Sequence, residues 1–133
     1  MYDRQLLLAQ LKRILEALSL IPGRFQSIEQ PKDFLVIPIG RGHLDSICMV
    51  LLAVGESFKQ IDSRTEGKLL AKYPNIPWKQ IMGLRNVLAH VYFEVDEEQI
   101  FTVCEENIEP LILTVRQMIE DLKAELKDTS SQP

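Results

Sequence analysis

The sequence has little cysteine and no long hydrophobic run, and each shortage excludes a class of protein. Two cysteines, Cys48 and Cys104, are too few for a disulfide scaffold. The longest apolar run, residues 34–39, contains a proline and is far shorter than the roughly 20 residues of a membrane-spanning helix. The chain also opens without the basic region and small-residue cleavage site of a secretion signal. We therefore expect a cytoplasmic protein with reduced thiols and no membrane association.

The overall composition is that of a folded domain. Hydrophobic residues make up 46% of the 133 residues and charged residues 26%, which excludes disordered and low-complexity chains. This length corresponds to one domain. We predict a single domain over residues 1–128 and a disordered tail over residues 129–133.

Charge is segregated along the chain. The net charge is −4, which argues against binding of nucleic acid through bulk charge alone. However, the segment from Lys59 to Arg85 contains six basic and two acidic residues. The segment from Phe93 to Asp128 contains eleven acidic and three basic residues. This pattern fits a molecule with one face for polyanions, or simply two solvated faces.

Apolar residues recur at helical spacing through most of the sequence. One apolar stripe in the first twenty residues predicts a helix that ends at Pro22 and Gly23. Further helices are predicted over residues ~43–61, from Pro77 to about Phe93, and from a break near Asn107–Glu109 to the C-terminal tail. A short helical segment is expected over residues 65–72, and Asp96 is a good N-cap. The stripes contain Leu7, Leu11, Ile14, Leu18, Leu44, Ile47, Leu51, Val54, Phe58, Ile81, Leu84, Leu88, Ile108, Leu111, Val115, Met118 and Leu122.

The pattern predicts an all-α fold, a bundle of four main helices with short extra helices. Residues 21–42 contain three prolines and three glycines. We expect them to form a long irregular connection with one short helix at most.

The helix beginning at Pro77 carries the residues with chemical potential. Projected at about 100° per residue from Ile81, its core stripe leaves Arg85 on one shoulder, near 40°. Asn86 and His90 fall near 140° and 180° and point away from the core. Because these two residues are four apart, the amide could orient the imidazole.

Arginine and histidine together suffice for RNA cleavage without a metal. A guanidinium matches the geometry of a phosphate, and an imidazole exchanges protons near neutral pH. The spacing of Arg85 and His90 is common by chance, however. An exposed arginine in an ion pair and a partly buried histidine would look the same.

Apolar residues border the polar pair. Met82, Ala89 and Phe93 flank Asn86 and His90, which a purely solvated face would not need. A second copy of the chain, related by a two-fold axis, would cover this face. Such a homodimer would also supply two arginines and two histidines to one cleft.

Four other features have plain structural interpretations. Trp78 is more often a packing anchor at a helix start than a base-stacking residue. Cys48 and Cys104 lie in apolar patterns typical of buried thiols. His43, Cys48, His90 and Cys104 have no zinc-site spacing, so we expect no metal and no cofactor. Gly83 could permit a close approach between helices.

A larger block of sequence resembles the HepT-like family, the toxins of the HEPN/MNT toxin–antitoxin modules. The block comprises Val54-Gly-Glu-Ser57, then the segment Tyr73-Pro-Asn-Ile-Pro-Trp78-Lys-Gln-Ile-Met-Gly-Leu-Arg85-Asn-Val-Leu-Ala-His90-Val-Tyr92, and then Val95-Asp96. The resemblance covers residues ~44–126 and is poor over residues ~21–43.

The resemblance implies a fold, an activity and a set of site residues. The fold would be a homodimeric HEPN bundle. The activity would be that of the toxin of a type VII-like system, a metal-independent endoribonuclease acting on tRNA. Arg85 and His90 match the catalytic pair, and Asn86 and Glu56 match supporting positions, although Glu56 could equally be an acid on a helix surface. Tyr92 matches the tyrosine that a minimal nucleotidyltransferase antitoxin modifies with AMP.

Two alternatives stay open. The protein could be a non-catalytic HEPN module that binds nucleotide or nucleic acid, or that docks a nucleotidyltransferase partner. It could also be a helical adaptor with no role in nucleic-acid chemistry. The intact Arg–His pair and the basic stretch favour the enzyme.

Overall fold

The computed structural model describes residues 2–90 and 95–131, with the backbone alone at residues 89, 90 and 129–131. Throughout these ranges the regular structure is helical and no strand occurs, which confirms the predicted all-α class. The elements in chain order are α1 (Arg4–Leu18), α2 (Ile21–Phe25), a 3₁₀ turn (Pro31–Leu35), α3 (Ile39–Arg64), α4 (Lys68–Ala71), α5 (Trp78–His90), α6 (Glu97–Thr102), a π-helical turn (Val103–Asn107) and α7 (Ile108–Ser131).

Helix α3 lies at the centre of the bundle. It packs against α1 on one side and α5 on the other, and α1 in turn packs along α7. The predicted stripes face this shared core, and Leu11, Ile47, Phe58 and Val115 are fully buried in it. The periodicity therefore identified both the long helices and their buried faces.

The prediction of an irregular connection over residues 21–42 was wrong. Two short helical elements and the first turn of α3 lie there, because prolines begin these elements instead of breaking them. Pro22 and Pro31 occupy first-turn positions, where the missing N–H is not needed. Gly40 lets α3 start early, since a Cβ at this position would collide with the carbonyl oxygen of Asp33.

The predicted N-cap is confirmed, and near the predicted break the backbone changes from α- to π-helical geometry without leaving the helix. Asp96 Oδ1 accepts a hydrogen bond from the backbone N–H of Glu98 at 2.9 Å. The π-helical turn lies directly before α7. Pro110 lies in the first turn of α7. It has no N–H to donate to the carbonyl of Glu106, which belongs to the π-helical turn. A π-helical turn is one way for a helix to accommodate such a disruption.

The C-terminal helix is longer than expected. The backbone of α7 is helical as far as Ser131, although we placed the start of a tail at residue 129. The division into one domain and a tail stays a prediction.

No helix within the described ranges combines the length and the apolar character that a bilayer crossing needs.

Trp78 and the two cysteines have the predicted structural roles. The indole packs edge-to-face on Phe58, with ring centroids 4.9 Å apart, and its Nε1 donates to the carbonyl of Tyr73 at 2.9 Å. Cys48 and Cys104 are buried free thiols. Burial raises the pKa of Cys48 to about 11 and that of Cys104 to about 12, so both stay protonated at neutral pH.

Replacing Leu88 with aspartate should unfold the bundle. Leu88 is buried on the inner face of α5, and an uncompensated buried carboxylate costs roughly 3–5 kcal/mol, a large part of typical domain stability. Thermal melting followed by circular dichroism measures the effect. The control is Val87→Asp, one residue earlier and 36% exposed, which should lower the melting temperature far less. Equal losses in both variants would contradict the assignment of the buried face.

Candidate active site on helix α5

Helix α5 presents one face to the core and another to the surface. Ile81, Leu84 and Leu88 pack inward, whereas Asn86 is exposed. The contact between Phe58 and Trp78, together with that between Glu56 and Arg85, shows that α3 runs antiparallel to α5. The predicted site residues of α5 that the structure describes therefore lie at the edge of the α3–α5 contact and beyond it.

Arg85 is held by two polar neighbours. Its Nε lies 2.6 Å from Oε2 of Glu56, and its Nη1 donates to Oδ1 of Asn86 at 2.9 Å. The Arg85 side chain is 33% exposed and that of Glu56 is 40% exposed. The structure thus brings three of the predicted site residues together, with the guanidinium at the surface.

The close approach that permits this contact occurs at Gly55 and not at Gly83. A Cβ added to Gly55 would lie 3.2 Å from the carbonyl oxygen of Ile81 and 3.3 Å from Cβ of Arg85. Among the described residues, an added Cβ at Gly83 meets nothing within 4 Å, so our expectation for that glycine finds no support there. The sequence signal at Gly55 was its place in the block that resembles the HepT-like family.

Two predicted site residues cannot be placed by their side chains. The backbone of His90 ends α5, but its side chain lies outside the described residues, and so does all of Tyr92. The predicted contact between Asn86 and His90 therefore stays a prediction, as does a covered face at Ala89 and Phe93. Met82, the third residue of that face, packs against the protein's own core.

A cleft of about 590 Å³ lies on the opposite flank of α5, between this helix and α6. None of the described residues that line it is basic, and neither Arg85 nor Asn86 is among them. Its lining includes Gln80, Val87, Glu98, Thr102 and Asn107. The described lining has amide and carboxylate groups but no cation for a phosphate, and it does not include Arg85, Asn86 or Glu56.

The segregated charges lie at the surface. The other basic residues of the segment 59–85 are exposed on α3, on α5 and in or directly after α4, and Lys72 also contacts Glu125 at 3.8 Å. Glu98, Glu105, Glu106 and Glu109 are exposed on α6, the π-helical turn and α7. The flank of α5 next to α6 is therefore acidic, whereas Arg85 lies on the other flank.

Within residues 2–90 and 95–131, no three histidine, cysteine or acidic side chains lie close enough together to hold a metal ion. Cys48 and Cys104 are buried in the core, away from the polar groups around Arg85. The site that these residues define consists of a guanidinium, a carboxylate and an amide.

The fold is an all-helical bundle of the HEPN type with a polar site on α5. Comparison with family models makes this more specific, because the model described as "Ribonuclease HepT-like" matches residues 14–118. The match covers most of the chain, including α3 and α5. The protein belongs to the HepT-like family.

Curated relatives come from the archaeon Methanocaldococcus jannaschii and are named, provisionally, as RNases. One is 32% identical over 63 residues, which are 47% of this chain and 54% of the relative. Another is 30% identical over 78 residues, or 59% of this chain and 64% of the relative. A third is 29% identical over 86 residues, or 65% and 66%. The chain thus spans between half and two thirds of the length of these relatives. No solved structure matches it.

Proposed function

We propose that this protein is a metal-independent endoribonuclease, the toxin of a HEPN/MNT toxin–antitoxin module, with tRNA as its substrate. The observation that carries the proposal is the surface guanidinium of Arg85, held by Glu56 and Asn86 five residues before His90. Membership of the HepT-like ribonuclease family supports it.

His90 and Arg85 each have one role in the proposed cleavage of RNA. His90, as a general base, takes the proton of a ribose 2′-hydroxyl, and the oxygen attacks the adjacent phosphorus. The bond from phosphorus to the 5′-oxygen breaks, and that oxygen receives a proton from a general acid. Arg85 stabilises the charge on the phosphate oxygens in the transition state. The products are a 2′,3′-cyclic phosphate and a free 5′-hydroxyl.

The spacing of the pair supports a homodimer. Five residues of α-helix separate Arg85 from His90 by about 7.5 Å along the axis and about 140° around it. One helix therefore does not aim both side chains at a single phosphate. In a two-fold dimer across α5, His90 of the partner subunit would serve as the general acid at the leaving oxygen.

Loss of either member of the pair should abolish cleavage without unfolding the bundle. Arg85→Ala and His90→Ala remove the phosphate clamp and the proton carrier, each worth about 10²-fold or more in rate. The measurement is digestion of total tRNA in EDTA, together with growth after induced expression, and a melting curve reports the fold. The parent should cleave in EDTA and arrest growth, whereas both variants should do neither. A fully active variant would contradict the assignment, and loss of parental cleavage in EDTA would show that a metal is required.

The dimer has its own test. Light scattering at micromolar concentration should give about twice the mass of 15.3 kDa that the sequence predicts. Mixing Arg85→Ala with His90→Ala subunits should then restore part of the activity, because a mixed dimer contains one intact copy of each group. A monomeric mass would rule out the shared cleft.

We also propose that Tyr92 is the site at which a nucleotidyltransferase antitoxin silences the enzyme. Each added AMP brings negative charge and bulk close to the residues proposed to cleave RNA, which repels an RNA backbone. Tyr92→Phe should keep cleaving tRNA after incubation with the antitoxin and ATP, whereas the parent loses activity. The control is Tyr73→Phe, a tyrosine that hydrogen-bonds to Asp121 and should still permit silencing. Mass spectrometry that finds AMP on another residue of Tyr92→Phe would contradict the proposal.

A further inference from the structure

The approach of α3 to α5 is set by a residue without a side chain. At Gly55 an added Cβ would press on the backbone of Ile81 and on Arg85, at 3.2 and 3.3 Å. These contacts are tighter than ordinary van der Waals contact, so α5 would have to shift by a few tenths of an ångström, since the two atoms are a backbone oxygen and a Cβ. Gly55 therefore fixes how near the Arg85 backbone lies to α3.

The next residue, Glu56, places its carboxylate against the Arg85 guanidinium. Its Oε2 is shielded from solvent, although the side chain as a whole is 40% exposed. This oxygen accepts no regular hydrogen bond from the described part of the chain and lies 2.6 Å from Nε of Arg85. A desolvated anionic oxygen needs a compensating charge, and the guanidinium provides it.

This ion pair contributes little to stability. Water screens the charges of pairs between partly exposed side chains, so such pairs add little to folding stability. The ion pair affects the geometry of Arg85. Glu56 contacts the Nε side of the guanidinium, and Asn86 accepts a hydrogen bond from Nη1. Among the described residues, one N–H on Nη1 and both on Nη2 have no partner and point to a binding capacity for phosphate.

We propose that Gly55 and Glu56 form a positioning element for Arg85, in which the glycine sets the helix spacing and the carboxylate fixes the orientation of the guanidinium. The inference rests on the proposed ribonuclease function. Glu56 is a positioning residue and acts through Arg85. Its negative charge also weakens attraction to RNA, so binding and catalysis should respond to its loss in different directions.

Glu56→Gln is the first test, since it keeps the size of the side chain and removes its charge. We expect kcat on tRNA to fall about tenfold or more, because small displacements of a catalytic group are costly. Affinity for a non-cleavable 2′-O-methyl RNA should stay the same or increase. Glu105→Gln makes the same change of charge at an exposed position on the π-helical turn, outside the Arg85 site, and should keep the parental kcat. A parental kcat for Glu56→Gln would overturn the inference.

A double-variant comparison shows whether Glu56 acts through Arg85. Lysine lacks the Nε nitrogen that contacts Glu56, so in an Arg85→Lys background Glu56→Gln should cause no further loss of kcat. The same loss in both backgrounds would mean that Glu56 acts elsewhere, which contradicts the inference.

The role of Gly55 is tested against a second glycine of the same helix. Gly55→Ala should lower kcat, whereas Gly42→Ala should not, because an added Cβ at Gly42 meets nothing within 4 Å. Equal kcat values in the two variants would overturn the role of Gly55. If Gly55→Ala does not fold, Glu56→Gln decides the proposal alone.

A readout other than activity separates this inference from the proposed function. The Nε–H signal of Arg85 in a ¹⁵N NMR spectrum, identified by its absence in Arg85→Lys, should shift in Glu56→Gln. An unchanged signal would show that the contact does not form in solution. A shifted signal in a parent protein that cleaves no RNA would instead show that the contact exists and that the ribonuclease proposal fails.

Discussion

The contact between α3 and α5 is the constraint on which the candidate site depends. It buries Ile81, Leu84 and Leu88 against the core and so determines which side of α5 faces outward. It is tight at Gly55, where an added Cβ would lie 3.2 Å from the carbonyl oxygen of Ile81. Because the core stripe and Arg85 share one rigid helix, the packing that stabilises the bundle also fixes the place of the guanidinium.

The contact also explains why a charged side chain can be ordered at the surface. Arginine has many rotamers, and ordering it in water costs side-chain entropy. Glu56 from α3 and Asn86 from α5 restrict Arg85 from two directions. A guanidinium that is oriented before substrate binds does not incur this cost during the reaction, which is the general advantage of preorganised electrostatics.

Sequence patterns predicted the long helices but not the contacts between them. The stripe of Leu7, Leu11, Ile14 and Leu18 is buried as expected, and Asp96 caps its helix, because both signals are local. Pro22 and Pro31 were misread, since proline ends or begins a helix depending on its place in the first turn. The spacing at Gly55 and the pairing of Glu56 with Arg85 depend on two helices that are distant in sequence, so periodicity could not predict them.

The two flanks of α5 carry different charges, so one repels a polyanion and the other attracts it. On the α6 side, exposed carboxylates such as Glu98 border a cleft whose described lining contains no cation, and a phosphate there would be repelled. On the α3 side, Arg85 and the exposed Lys59 beyond Glu56 are attractive. An RNA backbone that approaches α5 is therefore favoured on the flank where Arg85 is held. Glu56, the acid paired with the guanidinium, orients it and at the same time offsets part of this attraction.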